Sequence, residues 1–130
     1  EKLIETNFQV VHPEMTLGDM GKLISRSPRN VFPVVDDKKR FMGIVLIDNI
    51  RNIMFRPELY NRFSVSRFMT SPPAIIVVGM TMESIMKAFD ETKAWNLPVV
   101  DQKDVYLGFI SKSNILDVYR EVLAENFVEE

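Results

Sequence analysis

Apolar residues in the first half of the chain follow two spacings, one typical of strands and the other of helices. Mainly apolar runs at residues 8–11, 31–35 and 41–46 predict short strands. Between the first two runs, apolar residues recur at helical intervals after Thr16, the expected N-cap. Asp19 follows three residues later and gives an acidic variant of the capping box. With a final helix after the third strand, the pattern predicts the order β-α-β-β-α.

The second half of the chain repeats the first at an offset of 65 residues without a gap. The sequence FPVVD at residues 32–36 matches LPVVD at residues 97–101, and the glycines that follow align at the same offset. The chain is therefore predicted to be a tandem duplication. It divides into repeat 1 at residues 3–56, a linker at residues 57–67, and repeat 2 at residues 68–126 with a C-terminal helix.

Each repeat is predicted to contain a small sheet and two helices, which leaves one apolar sheet face uncovered. In repeat 2 the first strand is expected at residues 74–78 and the first helix after Thr81. Two repeats that face each other about a pseudo-twofold axis bury both faces. The predicted fold is α+β, with Pro33 and Pro98 in equivalent strands and two clefts between the repeats, where ligands commonly bind.

Composition excludes several function classes. The chain is 46% hydrophobic and 26% charged, contains no cysteine, and has His12 as its single histidine. Disulfide scaffolds, thiol nucleophiles and multi-histidine metal centres are therefore excluded. A net charge of −2 gives no global attraction to nucleic acid, and no apolar run is long enough to cross a bilayer. The chain opens on Glu1 without a signal peptide, which suggests a fragment of a longer protein.

Catalytic constellations are not expected. The aspartates that suggest metal binding or paired-carboxylate catalysis fall in equivalent strand-to-strand turns of both repeats, where turn chemistry explains them. They are Asp36, Asp37, Asp101 and Asp104. His12 precedes Pro13 and is expected to be exposed on a turn. Because no nucleophile and base are paired, the chain is not expected to be an enzyme.

The repeated strand and the segment after it resemble a known family. Residues 43–49 read GIVLIDN and residues 108–114 read GFISKSN. Together with the PVVD strands, they are similar to the cystathionine-β-synthase-type (CBS) domain pair over essentially the whole chain. The resemblance implies a non-catalytic regulatory module that requires no cofactor and binds an adenine nucleotide, with ATP, ADP and AMP as candidates.

Finer features resemble the cytosolic tail of prokaryotic ClC chloride channels and transporters. They are MFRPELY at residues 54–60, AWNLP at residues 94–98, and Tyr119-Arg120. This similarity implies attachment to a membrane transport domain of the same polypeptide, at the cytoplasmic face of the inner membrane. Two alternatives stay open: a structural dimerisation module with empty clefts, and the regulatory insert of a soluble nucleotide-biosynthetic enzyme.

The resemblance assigns one cleft to the nucleotide. Its expected residues are Val10, Val11, Arg29, Asn30, Phe32, Ser111 and Asn114. Ser111 is expected to cap the last helix, where backbone N–H groups and the helix dipole favour an anion. Asn114 replaces the family's ribose-binding aspartate, so Asn114→Asp is expected to tighten adenosine binding. A plain helix cap is the alternative explanation for Ser111.

The other cleft is expected to be empty. There Leu46 stands at the hydroxyl position, Asn49 at the acid position, and Trp95 is expected to fill the space.

Surplus apolar residues on the second helix of each repeat predict an isologous homodimer. The candidate interface residues are Ile50, Ile53, Met54, Ile115, Tyr119 and Val122.

Overall fold

The computed structural model describes residues 3–127, which form two repeats of helices and small sheets. Repeat 1 contains, in chain order, α1 (Leu17–Ile24), β1 (Val31–Val35), β2 (Phe41–Leu46) and α2 (Ile47–Met54). Repeat 2 contains β3 (Ile76–Val77), α3 (Met82–Thr92), β4 (Asn96–Val100), β5 (Tyr106–Ser111) and α4 (Lys112–Phe127). Pro57–Leu59 and Val65–Phe68 form 3₁₀ turns. The predicted α+β class is confirmed.

The helix starts agree with the predicted caps. The Thr16 side chain accepts a hydrogen bond from Asp19 N, and the Asp19 side chain accepts one from Thr16 N, which completes the capping box. At α3, Thr81 accepts from Ser84 N at 3.0 Å. The α2 helix ends at Met54, shortly before Arg56 and Pro57, because the residue before a proline is disfavoured in a helix.

The first predicted strand of repeat 1 is wrong. Only Val11 pairs, through an isolated parallel bridge to Val34. The ladder stops because Pro13 has no N–H for the next carbonyl, that of Val35. His12 Nδ1 lies 3.0 Å from this carbonyl and must donate, since a carbonyl oxygen only accepts. His12 is thus half-buried and hydrogen-bonded, which corrects its expected exposure on a turn.

In repeat 2 the equivalent strand forms, but it is shorter than predicted. Of residues 74–78, only Ile76–Val77 form a strand, which pairs in parallel with Val99 and Val100 of β4. Here Val78, the counterpart of Pro13, donates its N–H to Val100 O at 2.9 Å.

The turns between strands use their aspartates as predicted. Asp36 accepts from Lys38 N and Arg40 N, and its counterpart Asp101 accepts from Lys103 N and Val105 N. The hydrogen bond that Arg40 N donates to the Asp36 carboxylate lowers the pKa of this carboxyl. These carboxylates are therefore occupied by their own turns.

The two sheets face each other about a pseudo-twofold axis. Phe41 N donates to Asp104 O at 2.8 Å, and the equivalent Tyr106 N donates to Lys39 O at 2.9 Å. Phe8, Ile44 and Phe109 are buried in the cluster between the repeats. Each repeat has a further core of its own between sheet and helices. Pro33 of β1 and Pro98 of β4 occupy equivalent register positions, as predicted.

The first residues of each repeat cross over to the other repeat. Glu5 pairs with Phe109 of β5, and Thr70, its counterpart in repeat 2, pairs with Ile44 of β2. Gly108 makes room for the first crossing: its φ is +147°, and a Cβ there would lie 2.4 Å from Glu5 O.

The predicted dimer surface needs correction. Ile50 and Ile115 are fully buried in the cores of their repeats, because each packs its helix onto its own sheet, so neither reaches a partner. Tyr119 and Val122 are 41% and 43% exposed. Both line a groove of about 770 Å³ between α3 and α4, together with Met82, Glu83, Met86, Lys87 and Asp90.

The equivalent groove of repeat 1 is partly covered by the chain itself. Tyr60 of the linker lies on it, donates its hydroxyl to Met54 O, and accepts from Gly18 N at 3.2 Å through its own carbonyl. Gly18 and Gly21 also reduce the side-chain bulk of this groove. The α3–α4 groove of repeat 2 is therefore the larger and the more apolar of the two.

Candidate functional site

Arg29 lies between the repeats, where several contacts hold its side chain in place. Its Nη2 donates to Glu5 Oε1 at 2.9 Å and to Asn7 Oδ1 at 2.6 Å. Its guanidinium carbon lies 4.1 Å from the centre of the Phe8 ring, in a cation–π arrangement. The Arg29 and Glu5 side chains are each 26% exposed. The first residues of repeat 1 thus fix the position of this guanidinium.

The start of α4, in repeat 2, lies close to the Arg29 side chain. Ser111 Oγ accepts from Asn114 N at 3.1 Å, which confirms Ser111 as the cap of this helix. Asn114 Nδ2 donates to Glu5 Oε2 at 3.1 Å. Glu5 therefore joins Asn114 to Arg29, and the structure brings together the charged and polar residues of the first predicted cleft.

A cavity of about 360 Å³ lies beside Arg29. We call it the Arg29 cavity; its lining residues are Phe8, Pro28, Arg29, Asn30, Val31, Leu46, Asp48 and Asn96. Ser111 is adjacent, because it pairs with Asn96 in the β4–β5 register. The volume falls at the lower end of the roughly 300–1,000 Å³ typical of small-molecule sites.

Tyr106 adds a buried hydroxyl near this charge. No residue of the described chain makes a hydrogen bond to it. Burial raises the pKa of Tyr106, and the positive charge of Arg29 partly opposes that shift. The phenol thus stays neutral and carries an unsatisfied polar atom.

Several predicted cleft residues lie elsewhere. Val11 and Phe32 are fully buried in the core of repeat 1, so their side chains do not line a cleft. Val10 is half-buried and does not border the Arg29 cavity. The burial follows from β1, whose residues pack against α1 and α2 of their own repeat.

The second predicted cleft is also rearranged. Leu46 borders the Arg29 cavity, whereas Asn49 is exposed on α2. Trp95 does not fill a pocket: it is 73% exposed, and Lys112 Nζ lies 5.4 Å from its ring centre. The expectation of a tryptophan-filled cleft is therefore wrong, because the backbone bond from Lys112 N to Trp95 O places the ring at the surface start of α4.

Sequence reasoning missed four polar residues of this region, namely Glu5, Asn7, Asp48 and Asn96. Glu5 and Asn7 enter only because their segment crosses to β5, and no local pattern marks that pairing. Asn96 had a signal: it is the polar counterpart of the apolar Val31 at the start of a strand.

Within residues 3–127 no group of three or more acidic or histidine side chains is placed to hold a metal ion. None of the helices described combines the length and the apolar character that a membrane crossing requires.

Comparisons with known proteins give a consistent family. A family model for the CBS domain matches residues 1–56 and 65–121. Homoserine O-acetyltransferase of Methanococcus vannielii is 24% identical over 115 residues, which cover 88% of this chain and 23% of that protein. Inosine-5'-monophosphate dehydrogenase of Helicobacter pylori is 28% identical over 106 residues, covering 81% of this chain and 21% of the enzyme. The chain thus spans about a quarter or less of the length of these relatives.

A solved structure has the same fold. The crystal structure of CBSX2 of Arabidopsis thaliana in complex with AMP matches with a TM-score of 0.72 and 22% identity, covering 93% of this chain and 95% of that one.

Proposed function

Because this chain belongs to the CBS domain family, we propose that it is a non-catalytic regulatory module that binds one adenine nucleotide beside Arg29. Similarity to CBSX2, whose structure contains AMP, supports an adenine nucleotide as the ligand. A guanidinium matches phosphate geometry, and the cap of α4 adds backbone N–H groups and a favourable dipole.

One observation carries the proposal: Arg29 from repeat 1 and Asn114 from repeat 2 meet within one hydrogen-bonded group. The pseudo-twofold relation gives the opposite cleft Ala94 in place of Arg29. That cleft therefore lacks the guanidinium that would hold a phosphate. We therefore expect one nucleotide per chain.

Calorimetry with ATP, ADP, AMP and adenosine tests this function. We expect binding on the order of 10 μM to 1 mM, because Asn114 offers the ribose no charged acceptor. Ser111→Ala should weaken AMP more than adenosine, because it removes the cap beside the phosphate. If no ligand binds at millimolar concentration, the structural-module alternative replaces this proposal.

We propose that the module is a homodimer and that the α3–α4 groove of repeat 2 is its interface. Tyr119 and Val122 expose apolar surface there, whereas Tyr60 covers part of the repeat 1 groove. The groove also carries Glu83, Asp90 and Lys87, so a second copy in antiparallel orientation offers opposite charges to it. Light scattering should return about twice the 15.1 kDa of the chain; a monomer at all accessible concentrations contradicts this.

For the host protein, we propose a ClC-type chloride channel or transporter, with this module at the cytoplasmic face of the inner membrane. Residues 54–60 and 94–98 support it through their similarity to such tails. Reading the sequence upstream of Glu1 in its genome tests this proposal, because a ClC host requires a series of long apolar helices there.

A soluble host is the second candidate. The match to inosine-5'-monophosphate dehydrogenase favours it, since that enzyme contains a segment 28% identical to most of this chain. A catalytic domain of a nucleotide-biosynthetic enzyme on either side of the segment would decide for this host.

A further inference from the structure

The Glu5 carboxylate already engages both side chains that the proposed function assigns to the nucleotide. Its Oε1 accepts from Arg29 and its Oε2 from Asn114, at 2.9 and 3.1 Å. The carboxylate thus supplies the negative charge that a phosphate would supply. A phosphate on Arg29 and the carboxylate on Arg29 repel each other and compete for the same donors.

We propose that Glu5 is an intramolecular competitor for the phosphate, which makes this cleft discriminate between adenine ligands by their charge. The proposal rests on the proposed function, since it concerns the same cleft. A phosphate must displace the carboxylate from Arg29, whereas the uncharged adenosine has no such competition. The Glu5 side chain is therefore a specificity-determining group.

The backbone of Glu5 stays in place during this exchange. Glu5 N donates to Phe109 O at 2.7 Å, and Phe109 N donates to Glu5 O at 3.0 Å. This pairing delivers the carboxylate to the cleft at a fixed distance from α4. Only the side chain needs a new rotamer, and its 26% exposure leaves it a path to solvent.

The opposite cleft lacks the counterparts of both charges, the Glu5 carboxylate and the Arg29 guanidinium. The counterpart of Glu5 is Thr70, and the counterpart of Arg29 is Ala94. Neither the cation nor its internal anion is present there. Asp48 also lines the Arg29 cavity, but its carboxylate pairs with Arg51 of α2 and does not engage Arg29.

The test compares AMP and adenosine on the wild-type chain, Glu5→Gln and Glu5→Ala by calorimetry. Glu58→Gln is the matched control, because Glu58 also pairs with an arginine, Arg56, at 3.6 Å but outside the cleft. We expect AMP to bind about 5-fold more tightly to both Glu5 variants, the size expected for losing a partly exposed ion pair, while adenosine changes less than about 2-fold. Thermal unfolding checks that each variant folds.

The outcomes separate the two proposals. An AMP affinity that is unchanged or weaker in the Glu5 variants, or that rises in step with adenosine, overturns the competition and makes Glu5 a positioning residue for Arg29. The proposed function survives that result, because the wild-type chain still binds. If neither ligand binds to any variant, the proposed function and the competition fail together.

Discussion

The two repeats keep the same backbone contacts where they touch each other, but they differ in their helix starts and in the side chains around Arg29. Phe41 and Tyr106 occupy equivalent positions at the shared interface, and the backbone bonds around them are reciprocal. In contrast, α2 has 8 residues and follows Leu46, which provides no side-chain cap, whereas α4 has 16 and is capped by Ser111. Arg29 and Ala94 differ likewise.

This comparison separates two kinds of constraint on a duplicated chain. The reciprocal backbone bonds between the repeats depend on both copies at once. Helix caps, groove residues and the side chains of the clefts are freer to diverge. Divergence leaves one cleft with cationic and polar groups, and gives repeat 2 the larger and more apolar groove.

The largest expected effect concerns the glycines beside the crossing segments. Gly108→Ala should destabilise the chain by about 3 kcal/mol, because it combines an unfavourable φ of +147° with a Cβ 2.4 Å from Glu5 O. Gly43→Ala meets Met69 Cγ at 2.7 Å and Thr70 O at 2.8 Å without positive φ, and should cost about half as much. Urea unfolding measures both. Equal costs would show that the two crossings are equivalent.

The next effect separates the two grooves. Val122→Asp should raise the dimer dissociation constant at least about 10-fold, because it places a charge on the apolar interface. Asn61→Asp, in the equivalent groove of repeat 1, is the control and should change it less than about 2-fold. Sedimentation at several concentrations measures the constants. Equal weakening by both variants would place the interface on both repeats.

The helix starts give a smaller effect. Ser111→Ala should lower the free energy of unfolding by about 1 kcal/mol, because it removes the hydrogen bond from Asn114 N. Leu46→Ser offers α2 the cap it lacks and should raise that free energy by about 0.5 kcal/mol. Thermal and urea unfolding report both. A loss of stability in Leu46→Ser would show that Leu46 contributes packing rather than a missing cap.

The smallest effect is expected for Tyr106→Phe, which gives repeat 2 the same residue that repeat 1 has at the equivalent position, Phe41. The substitution removes a buried hydroxyl that has no hydrogen-bond partner among the described residues. We expect a gain of about 0.5 kcal/mol in the free energy of unfolding, since the desolvation cost of the hydroxyl disappears. A destabilised variant would mean that the hydroxyl has a hydrogen-bond partner.

The duplication made much of the fold predictable. One offset relates the PVVD strands, the turn aspartates and the glycines, so the facing of the two sheets followed from the sequence. The first strand of repeat 1 was not predictable from its apolar run, because only Val11 of that run pairs with β1, and Pro13 lacks the N–H that extends the equivalent pairing in repeat 2. Local sequence patterns predict helices and turns well, but they do not show whether each backbone N–H that a strand requires is present.

The cleft was only partly predictable. The Ser111 cap follows from the helix start, whereas Arg29 and Asn114 were assigned to the cleft through the resemblance to the CBS family. Glu5 depends on a pairing with Phe109 across more than a hundred residues, and no local signal marks it. It also changes an expectation: Asn114→Asp alone would place two carboxylates side by side, so it should tighten adenosine binding only together with Glu5→Gln.

Equilibrium dialysis with labelled AMP tests most directly whether only one of the two clefts binds a nucleotide. The measurement compares the wild-type chain with Arg29→Leu, which removes the guanidinium from the cleft. We predict saturation at one AMP per chain and an affinity at least about 10-fold weaker in Arg29→Leu, because a charge-assisted bond to phosphate is lost. Saturation at two AMP per chain, or an affinity unchanged in Arg29→Leu, would contradict the account.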